Sequence, residues 1–174
     1  MKTYTFTEAK PLLDFIESHS KEIIGHRIKT LYINYWPELD RHIMSDEPVV
    51  LEMDNGCILL EYLIYSDLTI TTGTKDEIHQ QDRVDIVMSF RDEIINYFEF
   101  ADSIKKDDIE GRKVINITVD RFSHAFEYNI QGDERPEGGD CFSTIRLHLD
   151  NGVKLCFCGA DAEADGYIFS WCEK

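Results

Sequence analysis

The chain has 174 residues and a formal net charge of −16, from 34 acidic against 18 basic side chains. Its hydrophobic content of 43% is that of a globular protein and excludes a disordered one. The acid excess argues against a nucleic-acid-binding surface, which neutralises phosphate with Lys and Arg, and against docking on anionic lipid. It allows attraction to a basic protein, and it also favours solubility by itself.

Targeting and redox signals favour a cytoplasmic protein. Met1–Thr7 is polar and alternating, unlike the apolar core of a signal peptide. No run of about 18 apolar residues occurs, so we expect no membrane span. The five cysteines are an odd number in a chain without secretory marks, which predicts reduced thiols.

The first third of the chain predicts a strand, a helix and a second strand. Thr3–Phe6 is a short β-patterned run. Pro11–Ile24 has apolar residues near helical spacing, and Gly25 follows where a helix commonly ends. Arg27–Trp36 is rich in β-branched and aromatic residues and is ended by proline.

Two stretches of similar design follow this pattern. Val49–Tyr65 and Thr144–Cys158 both place apolar runs around an Asp-Asn-Gly triplet, at Asp54–Gly56 and Asp150–Gly152. Asn-Gly between β-patterned runs is the strongest short-range hairpin signal, because the turn needs positive φ. We therefore predict two hairpins, with Leu68–Thr72 continuing the first as a further strand.

The middle of the chain predicts helices. Thr74–Glu77 has the pattern of a capping box, after which a short helix should follow. Ser89–Lys106 has apolar residues with a period near 3.6 and predicts an amphipathic central helix. Two alternating runs then resume the β pattern, Ile115–Val119 and Phe126–Ile130.

The order of strand, loop and hairpin indicates an internal repeat. Gly111–Val114 corresponds to Gly25–Ile28, and overlaying the hairpins aligns Leu51 with Leu147 and Leu59 with Leu155. The predicted fold is α+β: two similar antiparallel β units, with the N-terminal and central helices packed on the sheet or sheets. We expect one globular domain, made of repeat unit one at 25–73, a helical connector at 74–110 and repeat unit two at 111–174.

Two acidic segments are candidate partner-binding sites. The loop 131–140 is rich in Gly, Pro and acid and should be exposed. The segment 161–166 resembles the front of a calcium loop, but its twelfth position is Cys172 where a bidentate Glu is required, which favours a solvated turn. The candidate acids are Asp133, Glu134, Glu137, Asp140, Asp161, Glu163 and Asp165.

The remaining patterns predict neither a catalytic centre nor a metal or cofactor. Cys141, Cys156, Cys158 and Cys172 lack the two-residue knuckle spacing of zinc sites, so we expect buried or free thiols. Nucleophile elbows, phosphate loops and His-pair motifs do not occur. Three aromatic residues beside Pro37 either line a ligand pocket or belong to the core. They are Tyr32, Tyr35 and Trp36.

A small, acidic, single-domain chain without a catalytic motif resembles bacterial immunity proteins, which block cognate toxins. The resemblance is one of type and covers no specific motif. It implies a non-enzymatic protein whose acids occupy the substrate site of a basic toxin domain. Two alternatives remain open: a structural or scaffold protein, and a small-molecule binder or enzyme that uses a groove between the β units.

Overall fold

The computed structural model describes residues 1–32, 44–45, 49–63, 67–80, 106–122, 141–159 and 168–173. This part of the chain forms two antiparallel sheets, two α-helices and a short 3-10 helix, which confirms the predicted α+β fold. The strands are β1 (Lys2–Phe6), β2 (Ile28–Tyr32), β3 (Met44–Ser45), β4 (Val49–Met53), β5 (Gly56–Leu63), β6 (Asp67–Gly73), β7 (Val114–Phe122), β8 (Cys141–Leu149), β9 (Lys154–Gly159) and β10 (Ile168–Glu173).

Each sheet has five strands. The first has the order β1-β6-β5-β4-β2, and the second has the order β3-β10-β9-β8-β7. Strand β3 therefore comes from the first half of the chain but pairs at the edge of the second sheet. Strand β1 pairs with β6 at the edge of the first sheet. The strands β6-β5-β4-β2 and β10-β9-β8-β7 follow one another as meanders, with the hairpin strands β4–β5 and β8–β9 at the centre of each sheet or next to it.

Helix α1 (Ala9–Ile23) confirms the predicted N-terminal helix. Its apolar stripe faces β1, where the Phe15 ring lies 4.6 Å from that of Tyr4 and 5.1 Å from that of Phe6. Helix α2 (Lys75–His79) confirms the predicted short helix and its capping box. It packs against β5 and β6.

Strand β5 is buried on both faces. Four consecutive residues, from Cys57 to Leu60, are each at most 7% exposed. Successive side chains of a strand point to opposite faces, so both faces of the first sheet are covered here. This explains why the sequence reads as a nearly continuous apolar run instead of a clean alternation.

The Asp-Asn-Gly triplet forms hairpins in both units, but the two turns differ. In the first, Met53 pairs with Gly56, so the loop is Asp54-Asn55. A Cβ at Gly56 would lie 3.0 Å from the carbonyl oxygen of Gly73, and this close approach requires glycine.

The second hairpin has a loop one residue longer. The Leu149 N–H donates to the Val153 carbonyl at 2.8 Å, which leaves Asp150–Gly152 as the loop. Gly152 has φ +88°, the left-handed conformation that closes a three-residue hairpin.

The longer loop corrects the predicted alignment of the returning strands. Leu51 pairs with Ile58, whereas its counterpart Leu147 pairs with Leu155. The predicted equivalence of Leu59 with Leu155 is therefore wrong by one residue: Ile58 is the residue of the first hairpin that corresponds to Leu155. A shift of one residue moves a side chain to the opposite face of the sheet.

The two units meet edge to edge in a short antiparallel pairing of 26–28 with 112–114, called the junction below. Ile28 N donates to the Arg112 carbonyl and Val114 N to that of His26, both at 3.0 Å. Gly25 N and Gly111 N add flanking bonds of 2.8 and 2.7 Å, to Val114 and Ile28 respectively. Every bond from one unit has its counterpart from the other, which is the pattern of a pseudo-twofold axis.

Each hairpin turn is also fastened to the backbone of its own unit. Asp54 N donates to the Arg27 carbonyl at 3.0 Å, and Asp150 N donates to the Lys113 carbonyl at the same distance. The buried residues form one core cluster, which includes side chains of both sheets.

Several predicted features lie outside the described residues. They are the central helix up to residue 105, the run 126–130 and the loop 131–140. The last residue of the predicted central helix, Lys106, is described and begins the 3-10 helix Lys106–Asp108. The unit boundaries at 25–73, 74–110 and 111–174 stay predictions.

Candidate functional site

A partly buried polar network lies on one face of the first sheet. Tyr32 on β2 donates its hydroxyl to Glu52 Oε2 on β4 at 2.9 Å. Lys75, the first residue of α2, donates to the same Glu52 oxygen at 2.7 Å and to the Tyr32 oxygen at 3.1 Å. Its ammonium also lies 5.6 Å from the Tyr32 ring centroid. We call these three residues the first diagonal, since Tyr32 and Glu52 lie diagonally on paired strands.

The first diagonal holds each group in its ordinary charge state. Burial raises the pKa of Tyr32, so the phenol stays protonated. Burial alone would raise the pKa of Glu52, but the hydrogen bonds from Lys75 and Tyr32 outweigh it and lower the pKa. The hydrogen bonds of Lys75 to Glu52 and Tyr32 raise its own pKa. A general acid or base works best with a pKa near the operating pH, and these shifts move the groups away from it.

Cys57 lies directly across from Glu52 in the hairpin register. It is 2% exposed, and burial together with the negative charge of Glu52 raises its pKa to about 11. The thiolate is the nucleophilic form, so this thiol is unreactive near neutral pH and packs as a small apolar group.

The second unit carries a different pair at the same place in the fold. Thr118 on β7 and His148 on β8 are hydrogen bonded, with 2.9 Å between Oγ1 and Nε2. We call this pair the second diagonal. Both side chains are partly exposed, and Arg146 beside them forms an ion pair with Asp120 at 2.5 Å. The second diagonal therefore presents a more accessible, nitrogen-rich surface than the first.

A hydrogen bond between two side chains lies beside the junction. His26 Nδ1 is 2.7 Å from Asp54 Oδ1, and because a carboxylate only accepts, the imidazole N–H is the donor. This hydrogen bond lowers the pKa of Asp54. The pair links the first turn to the junction strand by side chains as well as by the backbone.

Of the sequence-predicted site residues, one lies in the described part of the chain. Tyr32 is 2% exposed and belongs to the first diagonal, where its hydroxyl contacts two charged groups. Tyr35 and Trp36, the other two candidate pocket residues, lie outside the described residues, and the pocket stays a prediction. The candidate partner-binding acids lie outside them as well: Asp133, Glu134, Glu137, Asp140, Asp161, Glu163 and Asp165.

The described residues were also compared with the requirements of a metal site and of a membrane-spanning helix. Within the described ranges, no group of three or more His, Cys, Asp or Glu side chains is placed to hold a metal ion. Cys57 and Cys156 are buried, and neither is in a disulfide. In the same ranges, no helix has both the length and the apolar character to cross a bilayer.

Sequence reasoning missed Glu52, Lys75 and His148 as polar partners. Glu52 had a signal, because it is a lone charge inside the apolar strand Val49–Met53 and a buried charge needs a partner. The identity of that partner, which comes from a helix 23 residues later, had no local signal.

Comparison with known proteins gives no relative: no family model matches the chain, and neither the curated proteins nor the solved structures that were searched contain a match.

Proposed function

We propose that the protein is a non-enzymatic acidic protein that binds a basic protein partner and blocks it, in the manner of small immunity proteins. The observation that carries this proposal is the net charge of −16, from 34 acidic against 18 basic side chains. The segments 131–140 and 161–165 together hold seven acids against one base, and these are the seven candidate partner-binding acids.

Acids are therefore concentrated locally in these two segments of the sequence. A region of one sign attracts an oppositely charged surface and raises the rate of encounter. At physiological ionic strength the screening length is roughly 8 Å, so only acids near the interface act on the bound partner.

The ionisation of the first diagonal also supports binding over acid–base catalysis. Lys75 and Glu52 neutralise each other, and Tyr32 keeps its proton. The network stabilises the fold and adds little to the net charge, because its Lys and Glu charges cancel. The acid excess of the chain is therefore carried by other residues.

The test is affinity capture from the source cells with the full chain immobilised, at low and at high salt. The proposal predicts a basic protein that is captured at low salt and released as the salt concentration rises. Capture of an acidic or neutral protein that resists salt would contradict it. A small molecule retained by the purified chain, with no protein partner, would instead favour the groove-binding alternative.

A further inference from the structure

The side chains of Asn55 and Asn151 hold their hairpin turns, in the same way, to the segments that lead into the junction. Asn55 Nδ2 donates to the carbonyl of Glu22, and Asn151 Nδ2 donates to that of Asp108, both at 2.8 Å. Each accepting carbonyl lies three residues before the junction glycine of its own unit, Gly25 or Gly111. We call Asn55 and Asn151 the clamp asparagines.

Both clamp asparagines are exposed and both precede a glycine. The backbone nitrogen of the next residue can attack the side-chain amide carbon of an asparagine, and glycine hinders this attack least because it has no side chain. The nitrogen loses its proton and forms a bond to Cγ, the amide C–N bond breaks, and ammonia leaves. Water then opens the five-membered imide to aspartate or isoaspartate, so the step needs no oxidant or reductant.

The folded junction opposes this reaction. The departing amide nitrogen of each asparagine is engaged with a carbonyl oxygen. In the second turn the attacking Gly152 N–H is also bonded to the Leu149 carbonyl at 3.1 Å, and Asn151 Oδ1 accepts from Val153 N at 3.3 Å. These hydrogen bonds oppose the rearrangement that the attack needs, so the reaction should be faster when the turn opens.

Conversion to aspartate would reverse the effect of the clamp. An ionised carboxylate has no N–H to donate, and it would face a carbonyl oxygen that carries partial negative charge. We propose that Asn55 and Asn151 are paired deamidation sites: as asparagines they hold the segment that precedes each junction strand, and their conversion to aspartate releases these segments and so weakens the junction. The reaction is irreversible, so the fraction of deamidated chains increases each time that an opened turn reacts.

The first experiment measures the reaction itself. The full chain is incubated in mildly alkaline buffer, with and without guanidinium, and the loss of NH3 with gain of H2O is mapped by peptide mass spectrometry. We expect slow conversion at both clamp asparagines in the folded chain and at least roughly tenfold faster conversion in denaturant, because opening limits the reaction in the folded state. Asn116, which is exposed but followed by Ile117, is the internal control and should stay intact. Equal rates with and without denaturant would overturn the protective role of the clamp.

The second experiment measures the consequence. In the variants Asn55→Asp and Asn151→Asp, hydrogen exchange at the junction amides of Gly25, Ile28, Gly111 and Val114 should accelerate roughly tenfold, as expected for a net hydrogen bond lost and a repulsion gained. Asn116→Asp adds the same charge on an exposed strand and should leave junction exchange unchanged. The single variants alter exposed turn residues, and circular dichroism establishes that they remain folded. Junction exchange equal to that of the unmodified chain, in folded single variants, would overturn the proposal.

Discussion

The two β units share a backbone arrangement and differ in the chemistry that it carries. At the same place in both, a residue of the edge strand is hydrogen bonded to one of the adjacent hairpin strand: Tyr32 to Glu52 in the first unit, and Thr118 to His148 in the second. The first pair is tied to Lys75 and largely buried, whereas the second is partly exposed. Main-chain bonds depend on register and tolerate this divergence, so the two units share the junction and the hairpin turns, whereas the side chains of the two diagonals differ.

The strongest test of this comparison removes equivalent core residues. Leu51 and Leu147 are 1% and 5% exposed. Leu51→Ala and Leu147→Ala should each lower the free energy of unfolding by about 2–5 kcal/mol, through lost burial and the cavity left behind. Because one core includes both units, each variant should shift a single transition in urea unfolding followed by circular dichroism. A second transition that appears in only one variant would show that the units unfold separately.

A smaller effect separates the two diagonals. Glu52→Ala leaves the Tyr32 hydroxyl and Lys75 without their shared acceptor, at a cost of about 1–3 kcal/mol in unfolding free energy. His148→Ala removes a partly exposed partner and should cost about 0.5–1.5 kcal/mol. Urea unfolding measures both, and Glu17→Ala on the exposed face of α1 is the control. The reverse order of the two costs would contradict the assignment of the first diagonal as the more buried one.

Acid should weaken the first diagonal. The folded-state pKa of Glu52 lies below its ordinary value of 4.5, so the unfolded chain binds a proton first as the pH falls. The contribution of ionised Glu52 to the free energy of unfolding is therefore present above pH 4.5, and it is lost as the pH falls through the folded-state pKa. The gap in unfolding free energy between the unmodified chain and Glu52→Gln should narrow over that range in a series of urea titrations. A gap that stays constant with pH would show that Glu52 ionisation does not stabilise the fold.

The least disruptive test acts on the helix that supplies Lys75. Thr74 caps α2 by accepting from Glu77 N, and Thr74→Ala should cost about 1 kcal/mol. The expected result is a small fall in the melting temperature, which Thr74→Ser should largely restore because it keeps the hydroxyl. An alanine variant as stable as the unmodified chain would show that the cap contributes nothing to the placement of Lys75.

Local patterns predicted local structure well. Asp-Asn-Gly placed both hairpins, and Thr74 with Glu77 placed α2, because turns and caps are determined by a few adjacent residues. The one-residue difference between the turns could not be predicted, since the same triplet is compatible with loops of two or three residues. In the first turn the choice also involves Gly73, from a strand outside the hairpin.

The candidate site was less predictable because its contacts are distant in sequence. Tyr32 was singled out as an aromatic residue, but its partner Lys75 is 43 residues away and is brought to it by the packing of α2. The side chains of the clamp asparagines likewise bond to carbonyls outside their own hairpins. The turn signal explains why asparagine occurs at these positions, but it does not predict which backbone carbonyl each side chain binds.

Two charge-matched variants test most directly whether the acids of the segment 131–140 bind a basic partner. Glu134→Lys with Glu137→Lys changes the predicted binding loop, and Glu17→Lys with Glu22→Lys makes the same change in net charge on the exposed face of α1. The measurement is the association rate with the captured partner across a range of salt concentrations. We predict that the loop variant associates roughly tenfold more slowly at low salt, that the helix variant is much less affected, and that the difference shrinks as salt rises. Association rates that are independent of salt, or equal for the two variants, would contradict the account.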